Sequence, residues 1–383
     1  MKVLLTTDVR VFACGDRYYL YRMAFGAIVE RYVKHFGKLT LLARVQKIDQ
    51  PDDSMADYTD MIDELVQVGA LKDLFMPRTK RLIRRAVEKV DFVIVRAPSV
   101  SAGAVVREAR RQGKKYLAEA MGCAWDSFFN HSLLGRVIAP VMFLDMRSIF
   151  RHADYALYVT SEFLQKRYPC RCESIGASNV KLPEVTGESL ERRLARQYTP
   201  EKVSLMTTAA VNVRFKGQQY VIEAMKLLRE RGVQAEYYLA GAGDQSWLRE
   251  IACKHGVQEQ VHFLGQLNRQ KLFDQLDEVD VYVQPSLQEG LPRAVIEAMS
   301  RGCPALGART AGIPELLAPR CVFRRRSAKA IADAVMDVLS KETLDALAAQ
   351  NHERSKEYLE ETIDARRSSF FRKIREEMER TAE

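Results

Sequence analysis

Short apolar runs alternating with longer helical patterns constrain the fold of this 383-residue chain more than any other feature. Val3-Leu-Leu-Thr-Thr, Leu39-Thr-Leu-Leu-Ala, Phe92-Val-Ile-Val, Lys115-Tyr-Leu-Ala-Glu-Ala and Tyr155-Ala-Leu-Tyr-Val have the length and composition of buried strands. A polar, mixed stretch then runs from Cys172 to about Pro200. A second series follows: Val203-Ser-Leu-Met-Thr-Thr-Ala, Ala235-Glu-Tyr-Tyr-Leu-Ala, Val261-His-Phe-Leu, Val279-Asp-Val-Tyr-Val and Pro304-Ala-Leu-Gly. Strands that alternate with helices predict α/β units whose mostly parallel sheets are covered on both faces. The expected division is a first domain over 1–170, a linker over 171–200, a second domain over 201–352 and a charged helical segment over 353–383. Tyr358, Leu359, Ile363, Phe370, Phe371 and Ile374 give that last segment an apolar side with which to pack back across both domains.

Hydrophobic residues make up 47% of the chain, which supports a packed core and argues against disorder. The seven cysteines lack metal-type spacing, and Cys170 and Cys172 have no second close pair, so they read as free thiols of a reducing compartment. Met1-Lys-Val-Leu-Leu-Thr-Thr-Asp turns polar too soon for a signal peptide. No apolar run approaches the roughly 20 residues of a spanning helix, and a cytoplasmic location is expected. The net charge of +9 is uneven: residues 1–170 hold 27 Lys and Arg against 19 Asp and Glu, while the remainder hold 32 against 31. The excess gathers at Arg78-Thr-Lys-Arg-Leu-Ile-Arg-Arg85 and at Arg107, Arg110, Arg111, Lys114 and Lys115, in part at helical spacing. Such faces are either solvated surface or an attraction to an anionic membrane or a phosphorylated acceptor. Leu133 to Phe150 is strongly apolar but interrupted by Arg136, Pro140, Asp145 and Arg147, which reads as core or interdomain packing, with shallow membrane insertion as the alternative.

The chemistry concentrates in four strand-to-helix loops of the second half. Glu289-Gly-Leu-Pro-Arg-Ala-Val-Ile-Glu297 places two carboxylates eight positions apart around a glycine turn, after the strand Val281-Tyr-Val-Gln and before a helix expected over Arg293–Arg301. A helix N-terminus offers N–H groups to an anion, while the flanking carboxylates suit hydroxyls on either side of it. A diphosphate with a sugar at each end has that shape. Arg214-Phe-Lys-Gly217, before a helix over Gln218–Arg229, supplies the cations a diphosphate needs. Gly241-Ala-Gly-Asp244 reads as a tight turn or a close approach to a ligand, and Gly265-Gln266-Leu as a backbone edge for a base.

The order of these motifs resembles the family-4 retaining glycosyltransferases, in particular those that build bacterial surface polysaccharides. Lys216-Gly217, Gly241-x-Gly243, Val261-x-Phe-Leu-Gly265, Pro285-Ser286, Glu289-Gly-Leu-Pro and Glu297-Ala-Met299 carry the resemblance, with a looser match through Tyr158-Val-Thr-Ser-Glu-Phe-Leu-Gln-Lys-Arg-Tyr-Pro169. It implies the GT-B fold: α/β, two facing Rossmann-like domains with parallel sheets and a C-terminal helix crossing back to the first. It further implies transfer of a hexose or N-acetylhexosamine, with retained configuration, from a nucleotide diphosphate sugar to a hydroxyl of a lipid-linked saccharide, in capsule, exopolysaccharide or O-antigen synthesis. UDP is the favoured carrier and GDP the alternative. The family pattern assigns sugar hydroxyls to Glu289, the ribose to Glu297, and the departing diphosphate to Arg214, Lys216 and the N–H groups of residues 290–293. Gly15, Gly217, Gly241, Gly265, Gln266, Gly290, Leu291, Pro292 and Arg293 complete the expected donor site. Trp125 and Asp126, or His131, stand on the acceptor side, where a capping Asp and a surface His are the plain readings. Neither metal, cofactor nor nucleic acid is expected.

Several departures from the family pattern stand out, among them Gly122-Cys-Ala-Trp-Asp126, where some members have a His after the fifth strand. The Glu-Gly-Leu-Pro-Arg turn is compact, Ala210 and Val211 occupy the usual place of the phosphate arginine so that Arg214 substitutes by role, and only Cys14-Gly15 remains of a first-domain Gly-Gly pair. A nucleotide-sugar 2-epimerase of the same fold and a non-catalytic nucleotide-binding protein are the competing functions.

Overall fold

The computed structural model describes residues 1–130, 132–199 and 201–382. It divides into two units, Met1–Ala177 with Ala365–Glu383, and Ser178–Asp364. Among the described residues the first unit holds nine strands: β1 (Val3–Cys14), β2 (Arg17–Tyr21), β3 (Leu39–Lys47), β4 (Met55–Asp57), β5 (Ile62–Val68), β6 (Phe92–Ala97), β7 (Lys115–Ala120), β8 (Tyr155–Tyr158) and β9 (Glu173–Gly176). Seven of them pair in parallel in the order β5-β3-β1-β6-β7-β8-β9. The order reverses between β1 and β6, the arrangement of a doubly wound sheet. Every residue of β6 is buried, as a strand covered on both faces requires.

The second unit holds β10 (Lys202–Thr208), β11 (Gln234–Ala240), β12 (Val261–Gly265), β13 (Val281–Gln284), β14 (Ala305–Ala308) and β15 (Val322–Phe323). These six strands are parallel, in the order β12-β11-β10-β13-β14-β15. Here the order reverses between β10 and β13, the position beyond whose strand carboxyl ends doubly wound sheets bind ligands.

The expected linker over 171–200 does not exist as such. β9 closes the first sheet, and the Gly187–Leu194 helix belongs to the second unit, where buried Arg193 donates to the carbonyls of Leu276 and Val279. Charged residues in this stretch hid an edge strand and a helix whose buried guanidinium donates to backbone carbonyls. The C-terminal helix, Glu360–Ala382, starts in the second unit and continues in the first from Ala365. Phe370, Phe371 and Ile374 join the first unit's core beside Tyr32, Phe36 and Phe92. Tyr155 Oη donates to Glu377 at 2.5 Å and Lys373 pairs with Glu173 at 2.5 Å.

One ionic cluster is buried in the first unit. Glu119, with no exposed side-chain surface, accepts from Arg96 Nε at 2.5 Å and Tyr32 Oη at 2.9 Å, and Arg31 lies 3.8 Å away. Burial by itself pushes this carboxyl up, but Arg96, Arg31 and Arg367 more than reverse it, holding it down at about 2. All seven cysteines are free thiols.

Candidate functional site

The four expected loops leave β10, β11, β12 and β13 at the same carboxyl edge of the second sheet. Gly241 N donates to Gly265 O at 2.8 Å, and Val211 N to Ala242 O at 3.0 Å, so the first three loops are fastened side by side. Leu287 N donates to Phe215 O at 2.7 Å, which ties the β13 loop to the β10 loop across the point where strand order reverses.

Lys216 ends a short 3-10 turn, Arg214–Lys216, and Gly217 then redirects the chain into the helix Gln218–Glu230. Gly217 has φ +80°, and a Cβ placed there would lie 2.2 Å from Pro285 O. Both facts demand glycine, and both press the β10 loop against the β13 loop. The result is a contact between residues 73 apart in sequence: Lys216 Nζ lies 2.7 Å from Glu289 Oε1. The carboxylate side chain is 12% exposed and the lysine 25%, so the pair is largely shielded from solvent. Gln284 Nε2 donates to the same Oε1 at 3.2 Å, and Oε2 has no hydrogen-bond partner among the described residues, so it can accept from a ligand hydroxyl.

Beneath the pair lies a buried polar chain that the sequence reading missed. Tyr237 Oη donates to Thr207 Oγ1 at 2.7 Å, and Thr207 Oγ1 to Val283 O at 2.6 Å. Tyr282 Oη donates to Gln284 Oε1 at 2.6 Å, and Gln284 Nε2 reaches Ser286 Oγ at 2.7 Å. Both donors of the Gln284 amide are thereby aimed at the β13 loop, one of them at Glu289. The available signal was a glutamine ending an otherwise buried parallel strand, a polar group that has to be satisfied where it stands. Burial drives the Tyr282 hydroxyl well above its ordinary range, and the nearby carboxylates of Glu289 and Glu297 push the same way. Tyr282 therefore acts as a neutral donor.

The helix after the turn, Arg293–Ser300, is preceded by buried Pro292 and has no side-chain cap, so its first N–H groups stay open. Pro292 itself has no N–H, which removes it from the expected donors and leaves residues 290, 291 and 293. Leu291 packs on the second unit's core, and Gly290 O accepts from Gly312 N at 2.9 Å. One turn on from Arg293, the half-buried Glu297 has its carboxyl raised, chiefly by burial, with Arg293 and Arg269 acting in the opposite direction.

Other expected residues lie elsewhere. Arg214 is exposed, and its guanidinium rests 5.2 Å from the Trp247 ring centroid, not against Glu289. Gln266 is exposed just beyond Gly265. Gly15 is not in a strand-to-helix loop: β1 runs on to Cys14 and turns directly into β2, with Cys14 opposite Arg17 and Gly15 at the exposed hairpin tip with φ +56°. Asp8, at the register shift within β1, accepts from Val100 N at 2.8 Å and Ser101 N at 3.2 Å at the start of the helix that follows β6. Trp125 and Asp126 share the short helix Ala124–Phe129, where Trp125 stacks on Phe129 and meets Phe143 edge-on. His131 lies outside the described residues. Among the described residues, no group of three or more His, Cys, Asp or Glu side chains is placed to hold a metal ion.

The profile of the family described as "Glycosyl transferases group 1" matches residues 202–341, which span all four loops. The match places a glycosyl transferases group 1 domain in the second unit. The chain is 25% identical to Protein CapJ of Staphylococcus aureus over 375 residues, 96% of this chain and 94% of that one. It is 29% identical over 183 residues to the putative colanic acid biosynthesis glycosyltransferase WcaL of Escherichia coli K12, 45% of this chain and 44% of the relative. Among solved structures, the sucrose-phosphate synthase of Thermosynechococcus elongatus aligns with TM-score 0.67 at 16% identity, over 97% of this chain and 98% of that one. Anabaena HepE in complex with UDP aligns with TM-score 0.62 at 12% identity, over 97% and 99%. These likenesses, with two Rossmann-like units, establish the GT-B fold.

Proposed function

We propose that the glycosyltransferase moves a hexose or N-acetylhexosamine from a nucleotide diphosphate sugar to a hydroxyl of a lipid-linked saccharide, with retained configuration and without a metal, in the synthesis of a bacterial surface polysaccharide. The Lys216–Glu289 contact at the strand-order reversal carries this reading. Glu289 Oε2 accepts from a hydroxyl of the transferred sugar. Lys216, partly shielded against Glu289, neutralises the diphosphate as the anomeric C–O bond breaks and its electron pair leaves with the phosphate oxygen. The open N–H groups before the Arg293–Ser300 helix meet the same charge, and Glu297 accepts from the ribose hydroxyls. UDP is the favoured carrier, in keeping with the UDP held by the HepE structure of the same fold. The resemblance to WcaL, named for colanic acid biosynthesis, supports an exopolysaccharide or capsule setting.

An acceptor carried on lipid puts the reaction at a membrane surface. Among the described residues no helix is long and apolar enough to cross a membrane, so the proposal is peripheral attachment. A thermal-shift panel of UDP- and GDP-sugars tests the donor. A rise in melting temperature that Lys216→Ala abolishes supports the assignment, and no response to any nucleotide overturns it. Accumulation of an epimer without acceptor, seen by NMR, would replace transfer with epimerisation.

A further inference from the structure

The two basic clusters of the first unit converge on one cavity. The Pro77–Glu88 and Val100–Arg111 helices, with the turn Leu71–Phe75, enclose about 520 Å³. Five cations line it, Lys80, Arg81, Arg84, Arg107 and Arg111, against a single acid, Glu108. Glu108 is engaged by Arg111 at 3.4 Å, and Arg107 pairs outward with Asp145 at 3.0 Å. Lys80, Arg81 and Arg84 have no ion-pair partner among the described residues. Surplus positive charge in a concave site calls for an anion with several acceptor oxygens. The cavity is also partly apolar, through Leu74, Ile83 and Ala104, and its rim residue Phe75 is 62% exposed beside exposed Met76.

The Asp145 that holds Arg107 belongs to the Leu133–Arg151 helix. That helix is apolar on two sides. Gly135, Ala139, Met142, Met146, Ile149 and Phe150 face the core, while Leu133, Leu134, Val137, Val141 and Leu144 each leave at least 63% of their surface in solvent. On a helix of 3.6 residues per turn the two sets point roughly 160° apart. The outward stripe is flanked by exposed Arg136, Arg147 and Arg151, and the helix's one acid, Asp145, is neutralised by Arg107. Apolar residues bordered by cations match the boundary of an anionic bilayer. Two such faces would repel each other, which disfavours a second copy as the occupant.

We infer that the cavity and the adjoining stripe form one docking face for an acidic lipid membrane: the cavity takes the phosphate of an anionic lipid headgroup, and the stripe enters the acyl boundary. This deepens the peripheral attachment proposed above and is independent of the donor site, because every residue named lies in the first unit.

The test is co-sedimentation of the full chain with vesicles of phosphatidylglycerol and phosphatidylcholine, or of phosphatidylcholine alone. Arg81→Gln/Arg84→Gln and Val137→Ser/Val141→Ser serve as variants, and a retained thermal response to nucleotide serves as the control for folding. Binding is expected only to the anionic vesicles. The double arginine variant should lose roughly 25-fold in affinity, about fivefold per arginine. The valine variant should lose binding even at high salt, where charge attraction is screened. Anionic-vesicle binding that both variants retain refutes the inference. So does a melting-temperature rise with inorganic pyrophosphate, lost in the arginine variant, without vesicle binding, since the cavity would then take a soluble phosphate. A dimer that the valine variant dissociates, again without vesicle binding, also overturns it. Vesicle binding without any nucleotide response would uphold this face and sink the donor assignment instead.

Discussion

Gly217→Ala should disable the site by moving a backbone, with no charge removed. At φ +80° an alanine adopts a left-handed conformation that costs about 1–2 kcal/mol. Its Cβ would also stand 2.2 Å from Pro285 O, a backbone atom that no side-chain rotation can withdraw. An ordinary carbon–oxygen approach needs roughly 3.3 Å, so the β10 and β13 loops must part by roughly 1 Å. Lys216 is the preceding residue, and its 2.7 Å contact with Glu289 would stretch beyond hydrogen-bonding range. A misplacement of about 1 Å at a reacting centre costs about 10²-fold in rate. Nucleotide affinity, followed by calorimetry, should fall along with kcat. Gly15→Ala is the matched control: φ is +56°, no atom lies within 4 Å of the added Cβ, and the hairpin tip belongs to the other unit. It should lower the melting temperature slightly and leave nucleotide binding unchanged. Wild-type affinity and turnover in Gly217→Ala would refute the idea that loop contact sets the Lys216 position.

Glu289→Gln keeps the side-chain shape but loses the charge paired with Lys216; transfer should drop by about 10²–10³-fold with circular dichroism unchanged, and undiminished turnover would exclude Glu289 from the reaction. Glu297 has a raised carboxyl, so the folded state takes up this proton before the unfolded chain does, and its charged form opposes folding above that window. Melting temperature should therefore rise as pH falls through the raised folded value. Glu297→Gln should flatten that segment of the profile while weakening nucleotide binding; an identical profile in the variant counts against the assignment. Glu119 is the opposite case, a depressed carboxyl whose stabilisation is present above the unfolded value and lost as pH falls toward about 2. Glu119→Ala strands the buried Arg96 and should cost about 3–5 kcal/mol in chemical denaturation, a loss that near-wild-type stability would contradict.

The strands of both sheets were largely legible because a strand buried on both faces must be apolar along most of its length, as Phe92–Val95 of β6 and Val281–Val283 of β13 are. β2, β4, β5 and β9 escaped notice because they pair at edges or in a hairpin, where charged residues are tolerated. The Arg293–Ser300 and Gln218–Glu230 helices fell where glycine and proline signals placed them, within a residue at each end. Lys216 and Glu289 were each readable as chemistry-bearing residues from their loops. Their 2.7 Å contact was not, because it depends on β10 and β13 being neighbours although two strands separate them in sequence. Gly15 shows the converse: a local glycine signal cannot reveal that its strand continues for another turn of pairing before the chain reverses.

What the amino-acid sequence determined by itself was composition along each strand and helix and the residue types in each loop, since these follow from local periodicity and backbone permission. Which loops meet, which guanidinium faces an anion and which rests on Trp247, and which two basic helices enclose a common cavity were decided only by the tertiary structure. Those outcomes depend on the order of strands in a sheet, and strand order is set by the burial of whole faces, a property no single segment carries.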